Sequence, residues 1–518
     1  MQRGFLSLCD DILYLLGRSL YEESPEDVLS LMVLSIKTRD VLVPIIYSSV
    51  RLRGSRQCTQ TLRYLKENPW IASYVRQLAI DTGCSTQNAD AESSEATEDW
   101  ISSIVEELAP HLKRLSDFRW DGSRLPLSRT FWETLQKDCL ELKDISTSIS
   151  QEDPLSWDEN TSVSHSLRLE SLRRRLIFLE FLKLRDLRRL SVKIKKSSAA
   201  NELPNSRYLS KFPPLFWSII HPSCSPRLEN LSFETDVLRS FNFNALFALE
   251  LPTLRRLTIG SFVFSDFAAR NLVEFLQSAH SIEHLDLAPV ARIPWTEISF
   301  PGIHHYGGNI FSIFTGATHW PTLASLDISC FPLSFERTTA FLRRSSKLPS
   351  LICFKLRVTS EDGNAMQTNS SFFGGCDDAA LSLLPALSRC YPNLQSLHIL
   401  SSAGSTLPWK PILLSLREFL HLSFLDLTQV PPRIGDEISS LAKIALSANK
   451  NLSRVRIQRS LSTWFNISDC IIGEKVEMRC IGCKPIEVAS QYIDYRSEVP
   501  KISRTRFPLK EAVAVLYF

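Results

Sequence analysis

The chain has 518 residues, with 59 basic and 56 acidic side chains and a formal net charge of +3. An apolar share of 44% and a charged share of 22% are those of a folded globular protein, which excludes disorder of the whole chain. The charge balance gives no general case for a nucleic-acid partner, where a clustered basic face is expected. No stretch reaches 18 apolar residues, so neither a transmembrane helix nor a membrane partner is expected.

The opening MQRGFLSLCDDILYLLG lacks a signal-peptide pattern, because Asp10 and Asp11 interrupt its apolar run. Twelve cysteines without framework spacing fit a reducing compartment, cytoplasmic or nuclear. Residues 1–52 predict a compact helical unit. Ile12, Leu13, Leu16 and Leu20 recur at helical spacing. Ser24, Pro25 and Glu26 mark a second helix start, with proline in the first turn where its missing N–H costs nothing. Val28, Leu31 and Met32 form the stripe of that helix. A third element runs from Val41 to Tyr47, with Pro44 limiting its length.

Residues 53–165 are less regular. Val75–Leu78–Ile80 and Leu112–Leu115 are weaker copies of a phrase that becomes clear later. Between them, residues 84–99 are polar and acidic without apolar period and predict a mobile surface loop. A second polar break, residues 150–165, precedes the clear array.

From residue 166 to 460 one phrase recurs nine times: an aliphatic residue, two others, an apolar residue, one other, an apolar residue. Its copies are Leu187–Leu190–Val192, Leu228–Leu231–Phe233, Leu254–Leu257–Ile259, Ile282–Leu285–Leu287, Leu323–Leu326–Ile328, Leu351–Phe354–Leu356, Leu394–Leu397–Ile399, Leu422–Leu425–Leu427 and Leu452–Val455–Ile457. Successive starts lie 41, 26, 28, 41, 28, 43, 28 and 30 residues apart. A fixed apolar phrase at this period marks a solenoid. Each phrase reads as a strand and each interval as a helix, as at Ala268, Leu272, Phe275, Leu276 and Ala279, capped by Ser265 and Asp266, and at Ile438, Leu441, Ala442 and Ala445. Pro226, Pro252, Pro321, Pro349 and Pro392 each stand two residues before a phrase, where proline stops a helix and favours extended backbone. The longest intervals are expected to carry loop insertions such as residues 360–375. Residues 461–518 lose the phrase, look strand-rich, and are expected to cap the last core layer. The fold expected is therefore α/β: a leucine-rich-repeat solenoid, parallel strands on its concave face and helices on its convex face, with a small all-α N-terminal unit.

The residues between the apolar positions of each phrase point away from the core. A protein partner of complementary charge is expected to be read there by steering and register. The candidate binding residues are Arg255, Arg256, Glu283, His284, Asp286, Asp327, His398, Arg454 and Arg456. Cys480 and Cys483 form C-x-x-C with Cys470 upstream. No second pair follows at zinc-ribbon spacing, so no metal site is expected. His304 and His305 are adjacent, which puts them on opposite sides of a strand and makes them poor joint ligands; a loop is the expected setting. The chain lacks G-x-x-x-x-G-K-[ST], G-x-S-x-G and H-E-x-x-H, and its 17 glycines are few for phosphate-cradling loops. No catalytic residue and no cofactor are assigned.

The order of features from Leu8 resembles an F-box. It runs through Asp11–Ile12–Leu13, Leu16, Leu20, Asp27–Val28, Leu31, Leu34–Ser35 and Pro44–Ile45–Ile46–Tyr47, followed by Val50 and Leu52. The whole chain resembles the fungal class of F-box proteins with degenerate leucine-rich repeats. Cys9 stands at the family's usual proline, Ile36 at a commonly basic position and Thr38 at a usual aromatic. The resemblance implies a substrate receptor of a cullin–RING ubiquitin ligase, with a Skp-family adaptor on the helical unit and a protein substrate on the repeats. The adaptor-binding residues it implies are Leu8, Ile12, Leu13, Leu16, Pro25, Val28, Leu31, Leu34 and Pro44. The departures leave a second reading open, a repeat scaffold whose F-box has decayed and which has no ligase role.

Overall fold

The computed structural model describes the chain between residues 9 and 494, apart from residues 24, 83–90, 127, 129, 151–179, 196–209, 212–213, 264–265, 288–301, 309–319, 335–337, 341, 343–347, 360–374, 402–408, 431–437, 462–471 and 482–483. Leu8, Ser265, Cys470, Cys483, most of the second polar break and the insertion at 360–374 thus lie outside the described residues. The chain divides into two compact units, one ending at Leu254 and one beginning at Arg255.

The first unit opens with three helices: α1 (Asp10–Glu23), α2 (Pro25–Met32) and α3 (Ile36–Ile46). Leu13 and Val28 are buried among them with Leu42, Ile45 and Ile46. Gly17 lets α1 approach α3 closely, since a Cβ there would lie 2.1 Å from Leu42 Cδ2. The third helix starts at Ile36, five residues before the predicted Val41. Its start is a capping box in which Ser35 Oγ accepts from the Thr38 N–H (3.0 Å) and Thr38 Oγ1 accepts from the Ser35 N–H (3.1 Å). Threonine fills the place usually held by Glu or Gln, which hid the signal. Pro44 lies inside this helix, two residues before its end.

Behind the helices come six parallel strands in chain order: β1 (Ser49–Arg53), β2 (Gln77–Asp81), β3 (Asp117–Asp121), β4 (Asp144–Ser150), β5 (Arg189–Lys195) and, after the two-residue β6 (Ser210–Lys211), β7 (Asn230–Asn242). Helices α4 (Ser55–Glu67), α5 (Pro69–Ala72), α6 (Ala91–Leu108) and α7 (Phe131–Asp138) fill the connections up to β4. The short helix α8 (Asn244–Phe247) follows β7.

The second unit has eight parallel strands: β8 (Arg256–Val263), β9 (His284–Leu287), β10 (His305–Gly308), β11 (Ser325–Ser334), β12 (Cys353–Thr359), β13 (Ser396–Ser401), β14 (Phe424–Val430) and β15 (Arg454–Leu461). Helices α9 (Asp266–Ser278), α10 (Gly375–Cys390), α11 (Trp409–Leu414) and α12 (Ile438–Ala448) lie in its connections. The antiparallel pair β16 (Ile472–Ile481) and β17 (Lys484–Asp494) then extends the sheet beyond β15, with Met478 buried opposite Val455. The segment EAVAVLYF lies beyond the described residues.

Every strand of the nine-copy phrase begins two residues after the phrase's first residue. The three apolar positions of each copy are buried to 4% exposure or less. Burying a leucine or isoleucine stabilises by about 1.5–3 kcal/mol, so three per unit bind each strand to the layer behind it. Register is fixed by a recurrent device at the strand entrance, where one carbonyl accepts from two successive N–H groups of the next unit. Ser48 O accepts from Arg76 and Gln77, Arg255 O from Glu283 and His284, and Gln395 O from Ser423 and Phe424. Each unit is thus an α/β stack of the leucine-rich-repeat kind.

The same two-residue offset exposes units the sequence pattern hid. Leu142–Ile145–Thr147 leads into β4, and Thr147 breaks the apolar pattern. The copy near residue 112 is in fact Leu115–Phe118–Trp120, three residues further on. The interval from Ile282 to Leu323 holds no mere insertion. Ile303–Tyr306–Gly308 leads into β10, so His305 lies in a strand and not in the expected loop. Its third position is glycine, which removed the phrase's last apolar mark.

The predicted loop over 84–99 is helical from Ala91 onward, as the first half of α6. Ile101, Ile104, Val105 and Leu108 supply a buried helical stripe just after the acidic run. Glu98 is itself buried, and accepts from Thr82 Oγ1 (2.7 Å), the Ser123 N–H (2.7 Å) and Ser123 Oγ (2.8 Å). A carboxylate supplied with three donors offsets its burial, which acidity alone could not reveal.

Candidate functional site

Two surfaces stand out, one in each unit. In the first unit, Ile12, Tyr14, Leu15 and Leu16 of α1 are 40–64% exposed, and Val33, Leu34 and Ile36, where α2 passes into α3, are 55–72% exposed. Seven large apolar side chains within 25 residues of chain are open to solvent, and exposed apolar surface concentrated in this way marks an interaction site. Of the predicted adaptor-binding residues, Ile12, Leu16 and Leu34 belong to this patch. Leu31 and Pro44 are half-buried. Leu13 and Val28 face inward and support the patch from behind. Pro25 is the first residue of α2, and Leu8 lies outside the described residues. Leu15, Val33 and Ile36 were missed, because they fall off the stripe that helical periodicity picks out as core.

In the second unit, the helix-free face of the sheet carries the predicted partner-binding residues, on or at the entrances to β8, β9, β11, β13 and β15. Arg255 and Glu283, at the entrances to β8 and β9, pair at 3.6 Å. Arg256 Nη2 lies 3.3 Å from Asp286 Oδ2, which also accepts from Thr258 Oγ1 (3.3 Å). Asp286 Oδ1 is 3.0 Å from His305 Nε2, and His305 Nδ1 is 2.9 Å from Ser325 Oγ. Gly307 makes room for this carboxylate: a Cβ there would lie 2.2 Å from Asp286 Oδ1. The His284 ring lies 5.5 Å from that of His305, and burial, then His305 and Arg256, lower its pKa. Asp327 pairs with Lys355 at 2.9 Å.

Farther along, His398 Nδ1 is 3.4 Å from Asp426 Oδ2, and Arg456 Nη1 is 3.5 Å from the same oxygen. Phe424 anchors this cluster, with the Arg454 and Arg456 guanidinium carbons 5.3 and 5.9 Å from its ring centre and the His398 ring edge-on at 5.2 Å. The Asp426 hydrogen bond comes first among the groups that push His398 up to about 9. The structure thus gathers six of the nine predicted residues into two clusters, Arg256–His284–Asp286 and His398–Arg454–Arg456, and leaves Arg255 paired with Glu283 and Asp327 with Lys355. Five strand steps separate β9 from β14, roughly 24 Å at ~4.8 Å per step. Asp426, Phe424, His305 and Ser325 complete the clusters. The repeat register places all four on this face, but only the partners on neighbouring strands reveal their roles.

Burial would raise the pKa values of Asp286 and Asp426. Hydrogen bonds and charge from His305 and Arg256, and from His398 and Arg456, outweigh it and hold both carboxyls below their ordinary value. A carboxyl with a depressed folded-state pKa contributes stability that is complete above its unfolded value of about 3.9 and is lost as pH falls through the folded value. Hydrogen-exchange protection of β9 and β14 should therefore fall steeply below about pH 4. In D286N/D426N, protection should be lower at neutral pH and its slope below pH 4 flatter. An unchanged acid slope in the double variant would refute this account of the face.

Among the described residues no group of three His, Cys, Asp or Glu side chains is arranged to hold a metal ion, and no helix is long and apolar enough to cross a membrane. No family model matches the chain. No curated protein matches it either. Among solved structures it is similar to a chain in the crystal structure of the Rad7 and Elc1 complex in yeast, at 15% identity over 85% of this chain and 90% of that one, with a TM-score of 0.37. A likeness at that score carries no argument about function.

Proposed function

We propose that the chain is a non-enzymatic substrate receptor of a cullin–RING ubiquitin ligase, acting in the cytoplasm or nucleus. The apolar patch on α1–α3 docks a Skp-family adaptor, and the helix-free face of the second unit binds a protein substrate. The observation that carries the reading is the patch itself. It is solvent-open, helical and coincident with the F-box-like sequence, which suits helix-in-groove docking. The face of β8–β15 supports the second half. Its alternating cations and carboxylates suit recognition of a protein surface by complementary charge.

The test is size-exclusion chromatography of the full chain mixed with a purified Skp-family adaptor. Co-elution at micromolar concentration is expected. A folded chain that elutes alone would leave the second reading, a repeat scaffold without a ligase role. One observation favours that reading: Thr38, where the family usually has an aromatic, is buried and spent on the α3 cap.

A further inference from the structure

On β12 to β15 the helix-free face carries five basic residues, Lys355, Arg357, His398, Arg454 and Arg456, against one carboxylate, Asp426. The same face of β8 to β11 has no such excess: Arg256 stands against Asp286 and Asp327, and burial, then His305 and Arg256, hold the His284 ring toward its neutral form. The register of β16 sets Arg479 opposite Arg454, Glu477 opposite Arg456 and Lys475 opposite Gln458, which adds two basic positions and one acidic. In a chain of net charge +3 this is a marked concentration of positive charge. We propose that the face of β12–β15 takes an extended acidic segment of the protein substrate, one carboxylate seated at Lys355 and Arg357 and a second at Arg454 and Arg456.

The two seats are built differently. At β12, Lys355 bonds Asp327 at 2.9 Å. Arg357 stands two residues further along the same strand face, and among the described residues its buried Nε has no hydrogen-bond partner. A buried donor without an acceptor costs stability until an acceptor reaches it, and a carboxylate is the strongest such acceptor. At β15, the Arg454 and Arg456 guanidinium carbons lie 5.3 and 5.9 Å from the centre of the Phe424 ring. Arg456 and His398 share Asp426 at 3.5 and 3.4 Å. The Asp426 hydrogen bond, first among its causes, pushes His398 up to about 9, so two cations stand on one carboxylate at neutral pH. Ring and carboxylate hold these cations in place before an anion arrives, which lowers the ordering cost of binding.

The spacing of the seats sets the spacing of the acids. Three strand steps separate β12 from β15, roughly 14 Å at ~4.8 Å per step, and an extended chain covers that in about four residues at ~3.4 Å each. Two Asp or Glu residues four positions apart therefore reach both seats. The residues between them pass over Asp426 and must be uncharged. A single phosphate dianion fits less well, because it needs cations converging on one point. Here the cations stand at two ends, and at each end one is already shared, Lys355 with Asp327 and Arg456 with Asp426. Two separate monoanions match that distribution. Specificity for acid rests on the reading of this face as the substrate-binding one, and is independent of the adaptor.

The test is fluorescence anisotropy of the full chain with short fluorescein-labelled Gly/Ser peptides. A peptide with two Glu four positions apart should bind at least about tenfold tighter than its Gln or Lys counterpart. A peptide with the two Glu adjacent reaches one seat only and should bind about tenfold weaker than the spaced pair, the loss of one charge-assisted contact. A peptide with a single phosphoserine should also bind more weakly than the spaced pair. Arg357→Gln and Arg454→Gln, one at each seat, should each weaken the spaced pair by about tenfold for the same reason. Equal binding of the Glu, Gln and Lys peptides would overturn the acidic class. Equal binding of the adjacent pair, or tighter binding of the phosphoserine peptide, would overturn the two-seat arrangement. These peptide comparisons need no variant to fold. Full affinity in both folded variants would place the peptide off this face. Co-elution of the same preparation with a Skp-family adaptor separates the two readings. Co-elution without a preference for Glu leaves the receptor reading and removes this one, and a preference for Glu without co-elution does the reverse.

Discussion

Leu15→Glu with Leu34→Glu should abolish co-elution with a Skp-family adaptor while leaving the chain folded. Both side chains are more than half exposed, so they contribute little to the fold. Docking would bury both, worth about 1.5–3 kcal/mol each. Two carboxylates at an apolar interface would forfeit that and add an unpaired desolvation cost. The combined loss corresponds to at least roughly a hundredfold in affinity, at 1.4 kcal/mol per tenfold. Isothermal titration calorimetry of wild type and double variant, with circular dichroism as the folding control, reads the effect. Wild-type affinity in the folded variant would remove the patch from the docking surface. This pair is cleaner than deleting residues 1–52. Such a deletion takes most of β1, including buried Val50 and Leu52, and leaves an edge of β2 unpaired.

Trp132→Ala should destabilise the first unit by about 3–5 kcal/mol, the range for truncating a buried aromatic. Trp132 is fully buried on α7, with ring centres of Phe131, Phe181 and Phe118 at 5.1, 5.0 and 6.1 Å. Among the described residues its indole N–H has no hydrogen-bond partner. Trp132→Phe should therefore cost much less than the alanine change, because it keeps most of the ring packing and removes an unsatisfied buried donor. Urea denaturation followed by hydrogen exchange in β3 and β4 separates the two. Equal losses in both variants would show that the indole nitrogen is satisfied or that the ring cluster bears little of the stability.

The sequence alone determined the repeat, the parallel α/β architecture and the direction of each side chain in the nine clear units. A buried strand flanked by its own turn leaves a fixed apolar phrase, and period two then decides which residues face outward. It also marked the N-terminal helical unit, through Pro25 and the stripe of Val28, Leu31 and Met32. It failed where one position of the phrase was not apolar, as with Thr147 and Gly308, and where an acidic run was buried, as with Glu98. What only the tertiary structure decided was pairing. Arg256, Asp286, His305 and Ser325 come from four strands up to 69 residues apart, and His398 and Asp426 from two more. No local signal links such residues, because their contacts arise from strand register. The exposed patch of Leu15, Leu34 and Ile36 is likewise a tertiary fact: helical spacing identifies which leucines can share a face, but only packing against α3 decides which face remains open to water.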